Sequence, residues 1–161
     1  MGTRGNELIE LDIPQLVEML NKALADEWLA YYQYWMGAKV ASGVMRDAVV
    51  LELTEHANDE LRHAQMLADR ILQLDGTPLL EPKQWYEFTN CGYDAPSNPE
   101  VKALLVQNIK GEQCAINVYK NLMDFTKDKD ELTYQMAIEI LKDEIEHEDD
   151  LQTLQEDLKN V

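Results

Sequence analysis

The feature that most constrains this chain is a set of four long amphipathic segments, each with a glutamate inside its apolar stripe. Apolar residues recur at intervals of seven, which places them on one face of a helix. The interrupting residues are Glu27, Glu60, Glu112 and Glu144. Burying even one isolated charge is very costly, so four carboxylates at one level of a core need compensating cations.

The segments predict an all-α protein with one domain over residues 1–161. We expect an N-terminal extension at 1–13, and helices over the approximate ranges 14–40, 45–75, 99–127 and 131–158. The connection between the second and third helices is long, whereas the other two are short. This pattern favours a four-helix bundle with one long crossover, and an up-down-up-down bundle with a wandering loop is the alternative.

Composition narrows the classes of partner. The net charge of −17 repels nucleic-acid phosphates and anionic lipids and concentrates small cations, so we expect no nucleic-acid and no membrane partner. Solubility alone would also account for this charge. No apolar run approaches the ~18 residues of a membrane span, and the N-terminus lacks the apolar region of a signal peptide. With two cysteines and no disulfide scaffold, a cytoplasmic protein is expected.

A repeated five-residue word carries two of the four glutamates. It reads DELRH at 59–63 and DEIEH at 143–147, and each copy places Glu and His three residues apart on one helix face. The glutamates of neighbouring helices are 33 residues apart in the first half and 32 in the second. The first helical hairpin therefore maps on the second with an offset of 84 or 85, which brings four Glu and two His to one level.

This set of side chains predicts a dinuclear metal site. Two divalent ions balance four carboxylates, and the ligand set is that of the di-iron and di-manganese carboxylate bundles. Carboxylate and imidazole ligands suit iron, manganese or zinc. Asp59 and Asp143 each precede a ligand glutamate, and we expect them to accept the other N–H of a metal-bound histidine across the bundle. A solvated helix flank is the alternative for both.

Three stretches carry a family resemblance: ADEWLAYYQY at 25–34, EHANDELRHAQMLADRILQLDGTP at 55–78, and MAIEILKDEIEHEDDL at 136–151. They are similar to helices of the ferritin superfamily, above all of bacterioferritins and Dps-like proteins. The match in the third helix is weaker and depends mainly on Glu112. The resemblance implies a ferritin-like four-helix bundle with one long crossover between the second and third helices.

The resemblance also implies a ferroxidase, an oxidoreductase that acts on metal ions. In this family two Fe(II) bind per subunit, oxygen or hydrogen peroxide oxidises them, and ferric mineral collects in a protein cage, which protects against oxidative stress. Manganese or zinc are possible substitutes for iron. The implied ligands are Glu27, Glu60, His63, Glu112, Glu144 and His147. Glu60 and Glu144 would bridge the two ions. Tyr34 matches a tyrosine beside the centre, with an ordinary core aromatic as the alternative.

Two departures from the family pattern refine these expectations. Leu61 stands where haem-binding bacterioferritins carry a methionine, so we expect no haem. The sequence ends at Val161 without the fifth helix of 24-subunit cages, which favours a homo-oligomeric cage of 12 subunits. The chain is thus similar to the Dps-like group that joins a bacterioferritin-type di-iron centre to a dodecameric shell.

Three further residues receive candidate roles from the resemblance. In bacterioferritins, residues similar to His56 line an iron site on the inner surface, which makes His56 a candidate on the route of iron. A surface histidine is the alternative. Some Dps-like relatives carry a cysteine pair near the metals, and Cys91 and Cys114 are candidates for such a redox-active pair. Two unrelated cysteines are the alternative.

Two other classes of function stay open. A di-manganese or di-iron enzyme that acts on peroxide, as a catalase does, or on a small organic substrate would use the same ligands without storing iron. A purely structural bundle would bind no metal, and replacing Glu60 and His63 with leucine would then stabilise it.

Overall fold

The computed structural model of the chain describes residues 2–160. The expected domain of residues 1–161 therefore has its two terminal residues outside the described part. Within this part the helices are α1 (Thr3–Asn6), α2 (Ile13–Val40), α3 (Arg46–Gln73), α4 (Lys83–Phe88), α5 (Val101–Thr126) and α6 (Glu131–Asp157). A 3₁₀ turn, Leu158–Asn160, continues α6.

The four long helices form the bundle. Helix α2 pairs with α3, α5 pairs with α6, and the crossover joins the two hairpins. Residues 2–160 contain no β-strand. The predicted all-α, ferritin-like four-helix bundle with one long crossover is confirmed, and each long helix begins and ends within two residues of its expected limits.

Short segments differ from the expectations. The expected extension at 1–13 contains α1, and its Ile9 and Leu11 pack against the core of the bundle. The crossover contains α4, where Trp85 stacks on Trp28 of α2 at 5.2 Å between ring centroids. Helices of four to six residues are too short to show a helical period in the sequence, so periodicity could not predict them.

Local sequence sets the limits of the long helices. Asp12 caps α2, because its Oδ1 accepts a hydrogen bond of 2.8 Å from the backbone N–H of Gln15. Asp130 caps α6 in the same way through Thr133. Gly76 follows α3 at a place where a Cβ atom would lie 2.7 Å from Val17, so only glycine allows this close approach.

The core consists of two apolar clusters with a polar level between them. One cluster includes Leu16, Leu67 and Ile140, and the other includes Leu53 and Leu105. Both clusters draw on all four long helices, so the polar level lies inside the bundle and is closed at both ends by packed side chains. No helix within residues 2–160 is both long and apolar enough to cross a membrane.

A buried ion pair fixes the register of α3 against α6. The guanidinium of Arg70 donates two hydrogen bonds of 2.8 Å to the carboxylate of Asp130, and its Nε donates to Thr133 Oγ1 at 2.7 Å. All three side chains are buried. Bidentate geometry of this kind restricts both sliding and rotation, so the pair positions the two helices that carry the Glu-x-x-His words.

Candidate metal centre

The six predicted ligands lie together at the polar level of the core. Helices α2 and α5 each supply one glutamate, and α3 and α6 each supply a glutamate and a histidine one turn apart. None of the six residues is more than 3% exposed. Such burial of ionisable groups is rare unless they are paired or bind metal ions.

The ring of His63 faces three carboxylates with one nitrogen. Its Nδ1 lies 3.3 Å from Glu144 Oε1, 3.4 Å from Glu60 Oε2 and 3.5 Å from Glu27 Oε2. These four residues offer ligand atoms that all lie within 4.8 Å of one another. They can therefore surround one metal ion.

The ring of His147 has the equivalent surroundings. Its Nδ1 lies 3.4 Å from Glu144 Oε2, 3.5 Å from Glu60 Oε1 and 3.9 Å from Glu112 Oε2. Again the four residues offer ligand atoms within 4.8 Å of one another. A second ion can be surrounded in the same way.

Glu60 and Glu144 belong to both groups, and each turns a different oxygen to each histidine. Glu60 directs Oε2 to His63 and Oε1 to His147, whereas Glu144 directs Oε1 to His63 and Oε2 to His147. This is the geometry of two carboxylates that bridge a pair of ions. The other two glutamates, Glu27 and Glu112, each belong to only one of these two groups.

Two aspartates orient the histidine rings from the opposite side. Asp143 Oδ2 lies 3.1 Å from His63 Nε2, and Asp59 Oδ2 lies 3.4 Å from His147 Nε2. Each contact joins α3 to α6, as the sequence leads us to expect. An Nε2–H that donates to a carboxylate leaves the Nδ1 lone pair facing the centre, which is the tautomer that binds metal.

Two tyrosines hold the outer oxygens of the terminal glutamates. The hydroxyl of Tyr34 donates to Glu112 Oε1, and the hydroxyl of Tyr119 donates to Glu27 Oε1. Burial and the nearby carboxylate raise the pKa of each tyrosine, so both keep the proton that they donate. The role of Tyr119 is not predicted from the sequence, although it lies 85 residues after Tyr34 and the internal repeat contains the signal.

The carboxyl groups of the centre respond differently to their surroundings. Burial, together with the charges of Glu60 and Glu144, raises the pKa of Glu27 well above its usual range. The same causes, with Glu144 before Glu60, raise that of Glu112. Burial also opposes ionisation of Glu60, but its contacts with the two histidines outweigh burial and lower its pKa. The terminal glutamates therefore retain protons more readily than Glu60 does.

The histidines have the opposite response. Burial lowers the pKa of His147, but contacts with Glu144 and Glu60 outweigh burial and raise it to about 12. The pKa of His63 is raised in the same way by Glu144, Glu27 and Glu60. Protons on the two rings can thus balance part of the carboxylate charge, and metal ions must replace those protons when they bind.

Several buried atoms of the centre fit a metal better than a hydrogen-bond network. Among the described residues, both oxygens of Glu144, Oε2 of Glu27 and Nδ1 of His147 have no hydrogen-bond partner. Buried polar atoms are normally hydrogen-bonded, and these four converge on the space between the histidines. Divalent ions there would satisfy all of them, so the donor set suits iron, manganese or zinc.

The surroundings of His56 differ from one of the alternatives that its sequence leaves open. The side chain is not on the surface, since it is only 1% exposed. Its ring stacks on that of His147 with 4.0 Å between centroids, and the edge of Tyr34 meets it at 5.3 Å. Burial and the charge of His147 lower the pKa of His56 to about 3, so the ring is neutral near pH 7.

The two cysteines form a disulfide beside the centre. Cys91 of the crossover is bonded to Cys114 of α5. Both line a cavity of about 460 Å³ that also reaches Glu27, Glu60 and Glu112. Asp26 secures the crossover there, because its carboxylate accepts hydrogen bonds from the backbone N–H groups of residues 90 and 91 and from two side chains. Sequence periodicity contains no signal for this clamp.

Comparison with known proteins identifies the family. The sequence profile of the ferritin-like domain matches residues 17–161. The chain belongs to the ferritin family. This ferritin is 31% identical over 153 residues to the DNA protection during starvation protein of Pyrococcus furiosus, with 92% of this chain and 82% of the relative covered. It is 29% identical over 141 residues to the bacterioferritin of Brucella melitensis, which covers 87% and 82%.

Solved structures agree with this assignment. A structure described as a dodecameric thioferritin, the bacterioferritin-related protein from Bacteroides fragilis, matches this ferritin with a TM-score of 0.93 and 48% identity. The match covers 94% of this chain and 90% of that one. Dps from Thermosynechococcus elongatus matches with a TM-score of 0.84 at 17% identity, over 94% of each chain, which shows a shared fold. Family membership thus associates the chain with iron storage and iron oxidation in general.

Proposed function

We propose that this ferritin is a ferroxidase that oxidises Fe(II) at the six-residue centre and stores the ferric product in a homo-oligomeric cage. The observation that carries the proposal is the placement of Glu60 and Glu144, whose two oxygens face different histidines. Bridging carboxylates hold two ions close together. Two Fe(II) can then each give one electron to the same oxidant.

Bound iron supplies the electrons: two electrons and two protons convert oxygen to hydrogen peroxide, or hydrogen peroxide to two waters. The residues of the chain bind and orient. Glu27 and Glu112 each hold one ion through Oε2, because a tyrosine hydroxyl occupies the other oxygen. Asp143 keeps the proton of His63 on Nε2. The apolar clusters on either side limit the access of water.

We further propose a cage of 12 subunits that consumes peroxide and so protects against oxidative stress. The support is the Bacteroides fragilis relative, which is described as dodecameric and shares 48% identity with this chain. The net charge of −17 would also concentrate Fe(II) around such a particle.

Iron loading of the purified full-length protein tests both parts of the proposal. Fe(II) is added to metal-free protein without oxygen, and oxygen or hydrogen peroxide then follows in limited amounts. We expect ferric absorbance to develop faster than in buffer, and a particle near twelve subunits to retain far more than two irons per subunit. The variant Glu60→Gln/Glu144→Gln should lose the acceleration, whereas Glu18→Gln/Glu87→Gln, with the same change of charge at exposed positions, should keep it.

Two results would contradict the proposal separately. Oxidation no faster than in buffer would exclude the ferroxidase. Oxidation with two irons per chain, retained by a monomer or a small oligomer, would exclude storage and leave an enzyme without a mineral.

The cavity beside the disulfide favours one alternative, a di-manganese or di-iron enzyme acting on peroxide or a small organic substrate. Its volume of about 460 Å³ lies within the ~300–1,000 Å³ of small-molecule sites, which is more than dioxygen needs. Catalase-like turnover would release oxygen from hydrogen peroxide with no net oxidation of the metal. The same loading experiment, with an oxygen electrode added, distinguishes the two functions.

A further inference from the structure

A second cluster of ligand side chains lies one helical turn from the dinuclear centre, where α3 faces α6. A cavity of about 110 Å³ there is lined by six carboxylates and by the rings of His56 and His147. No lysine or arginine lines this cavity. Acidic clusters are common on protein surfaces without any ligand, so the decisive residue is the buried histidine.

His56 is buried without a hydrogen bond. The side chain is 1% exposed, and within residues 2–160 neither of its ring nitrogens has a hydrogen-bond partner. Leaving a buried polar atom unsatisfied costs about 1–3 kcal/mol. The stacked ring of His147 and the edge of Tyr34 hold the imidazole in this orientation. A ring that is held firmly but makes no hydrogen bond is free to bind a ligand.

Two carboxylates converge on one nitrogen of this ring. His56 Nε2 lies 3.1 Å from Glu52 Oε1 and 3.9 Å from Asp150 Oδ2, and neither contact has the geometry of a hydrogen bond. The three residues offer ligand atoms that all lie within 4.8 Å of one another. One ion between them could contact all three, as in each half of the dinuclear centre.

From this geometry we propose that Glu52, His56 and Asp150 bind a divalent transition-metal ion, at a third site separate from the dinuclear centre. A ligand set of one imidazole and two carboxylates suits Fe(II), Mn(II) or Zn(II), whereas Ca²⁺ and Mg²⁺ prefer oxygen ligands alone. The side chain of Asp150 is 44% exposed, so water from the cavity can complete the coordination.

The position of the third site assigns it a role in iron transfer. His56 also offers a ligand atom within 4.8 Å of those of Glu112 and His147, so its ring separates the acidic cavity from the dinuclear centre. The site is a waiting position for Fe(II) on its way to the centre. This role rests on the proposed ferroxidase function, whereas the binding of an ion does not.

Counting bound Zn²⁺ by equilibrium dialysis of the assembled, metal-free protein tests the binding. We expect three tight equivalents per subunit in the wild type and two in Glu52→Gln/Asp150→Asn. Loss of these direct ligands should weaken the third equivalent by at least about 10- to 100-fold, since even indirect partners of a metal contribute that much. His56→Phe keeps a stacking ring without its nitrogens and should also bind two. The control Glu55→Gln/Glu146→Gln changes two carboxylates of the same cavity and should bind three.

A second background separates failure of this site from failure of the dinuclear centre. Glu27→Gln/Glu112→Gln should retain one tight equivalent, and adding Glu52→Gln/Asp150→Asn should remove it. If the dinuclear centre does not exist, the wild type binds one equivalent, which only the Glu52, His56 and Asp150 variants lose. A third equivalent that survives in Glu52→Gln/Asp150→Asn, or one that the control variant loses equally, overturns the proposal.

Rapid mixing with Fe(II) and hydrogen peroxide tests the waiting role. In Glu52→Gln/Asp150→Asn, the first two irons per subunit should oxidise at the wild-type rate. Later turnovers should slow by about tenfold, in line with the loss of local metal affinity. Equal rates in all turnovers would show that iron reaches the centre by another route, and the waiting role would then be wrong.

Discussion

The two helical hairpins build nearly identical halves of the metal centre but differ in what surrounds it. Each hairpin supplies a terminal glutamate, a tyrosine, a bridging glutamate, a histidine and an aspartate. The carboxylate distances around Nδ1 are 3.3–3.5 Å for His63 and 3.4–3.9 Å for His147. Two ions of equal charge need equal surroundings, which accounts for the likeness of the ligands.

Outside the ligands the two halves diverge. Equivalent positions, 84 or 85 residues apart, pair His56 with Ile140, Arg62 with Glu146, Arg70 with Leu154, and Asp26 with Gly111. Of these, the first-half residue provides the neutral ring next to the centre, the cation between the two aspartates, the register lock and the crossover clamp. The ligand level is constrained by symmetry, whereas access and assembly of the centre depend on one hairpin.

The largest expected effect comes from breaking what the halves share. Glu60→Gln should weaken both ions, since each oxygen of Glu60 serves a different one. Glu27→Gln should weaken only the ion beside His63. Removing one partner of a buried charged contact costs about 3–5 kcal/mol, so each affected ion should bind about 100- to 1,000-fold more weakly. Calorimetric titration with Zn²⁺ measures this. Loss of a single ion in both variants would show that Glu60 does not bridge.

Next in size is the register lock, which one half has and the other lacks. Arg70→Leu places in the first half the residue type of Leu154 and leaves the buried carboxylate of Asp130 without its cation. We expect a loss of about 3–5 kcal/mol in the free energy of unfolding. Guanidinium unfolding of the metal-free protein measures it.

A matched double variant identifies the cause of that loss. Arg70→Leu/Asp130→Ser removes the charge while serine still caps α6, so most of the stability should return. If the double variant is as unstable as Arg70→Leu, the cost comes from lost packing of the arginine side chain instead.

A smaller effect should follow from the aspartates behind the histidines. Asp143→Asn should weaken the ion at His63, and Asp59→Asn the ion at His147, each by about 10- to 100-fold. The Asp143 variant should show the larger loss, because its contact is 3.1 Å long against 3.4 Å for Asp59. Competition with a chelator of known affinity measures both, and equal losses would mean that this difference in geometry has no energetic effect.

The smallest effect, for a change of one pH unit, acts on both halves alike. Glu27 and Glu112 hold protons more strongly than usual, and His147, with its pKa raised to about 12, is charged near pH 7. Metal must displace these protons, so affinity should fall as the pH falls, by about tenfold per unit for each proton released. Titrations in buffers of different ionisation enthalpy count the protons. Affinity independent of pH would contradict this balance.

The ligand level could be predicted from the sequence because it interrupts a regular period. A glutamate inside an apolar stripe is visible without a structure, and so is a five-residue word that occurs twice. Tyr119 had the same signal, since the offset that relates the glutamates also relates it to Tyr34. The family assignment and the bundle follow from the same period.

The rest of the centre depends on contacts that have no period. His56 is buried because rings from α2 and α6 pack on it, which a single helix does not reveal. The clamp at Asp26 is formed by crossover residues whose path is irregular. For the same reason the sequence left open whether Cys91 and Cys114 meet, and only the course of the crossover over α5 brings them together.

The bond between Cys91 and Cys114 also changes the unfolded chain. It closes a loop spanning 23 residues of sequence separation, and a closed loop of this length removes about 3 kcal/mol worth of chain entropy from the unfolded ensemble. The staple therefore favours the docked crossover even though it lies outside the bundle. A thiol reductant would withdraw that support from the wall of the larger cavity, and it would leave the packed helical interior untouched.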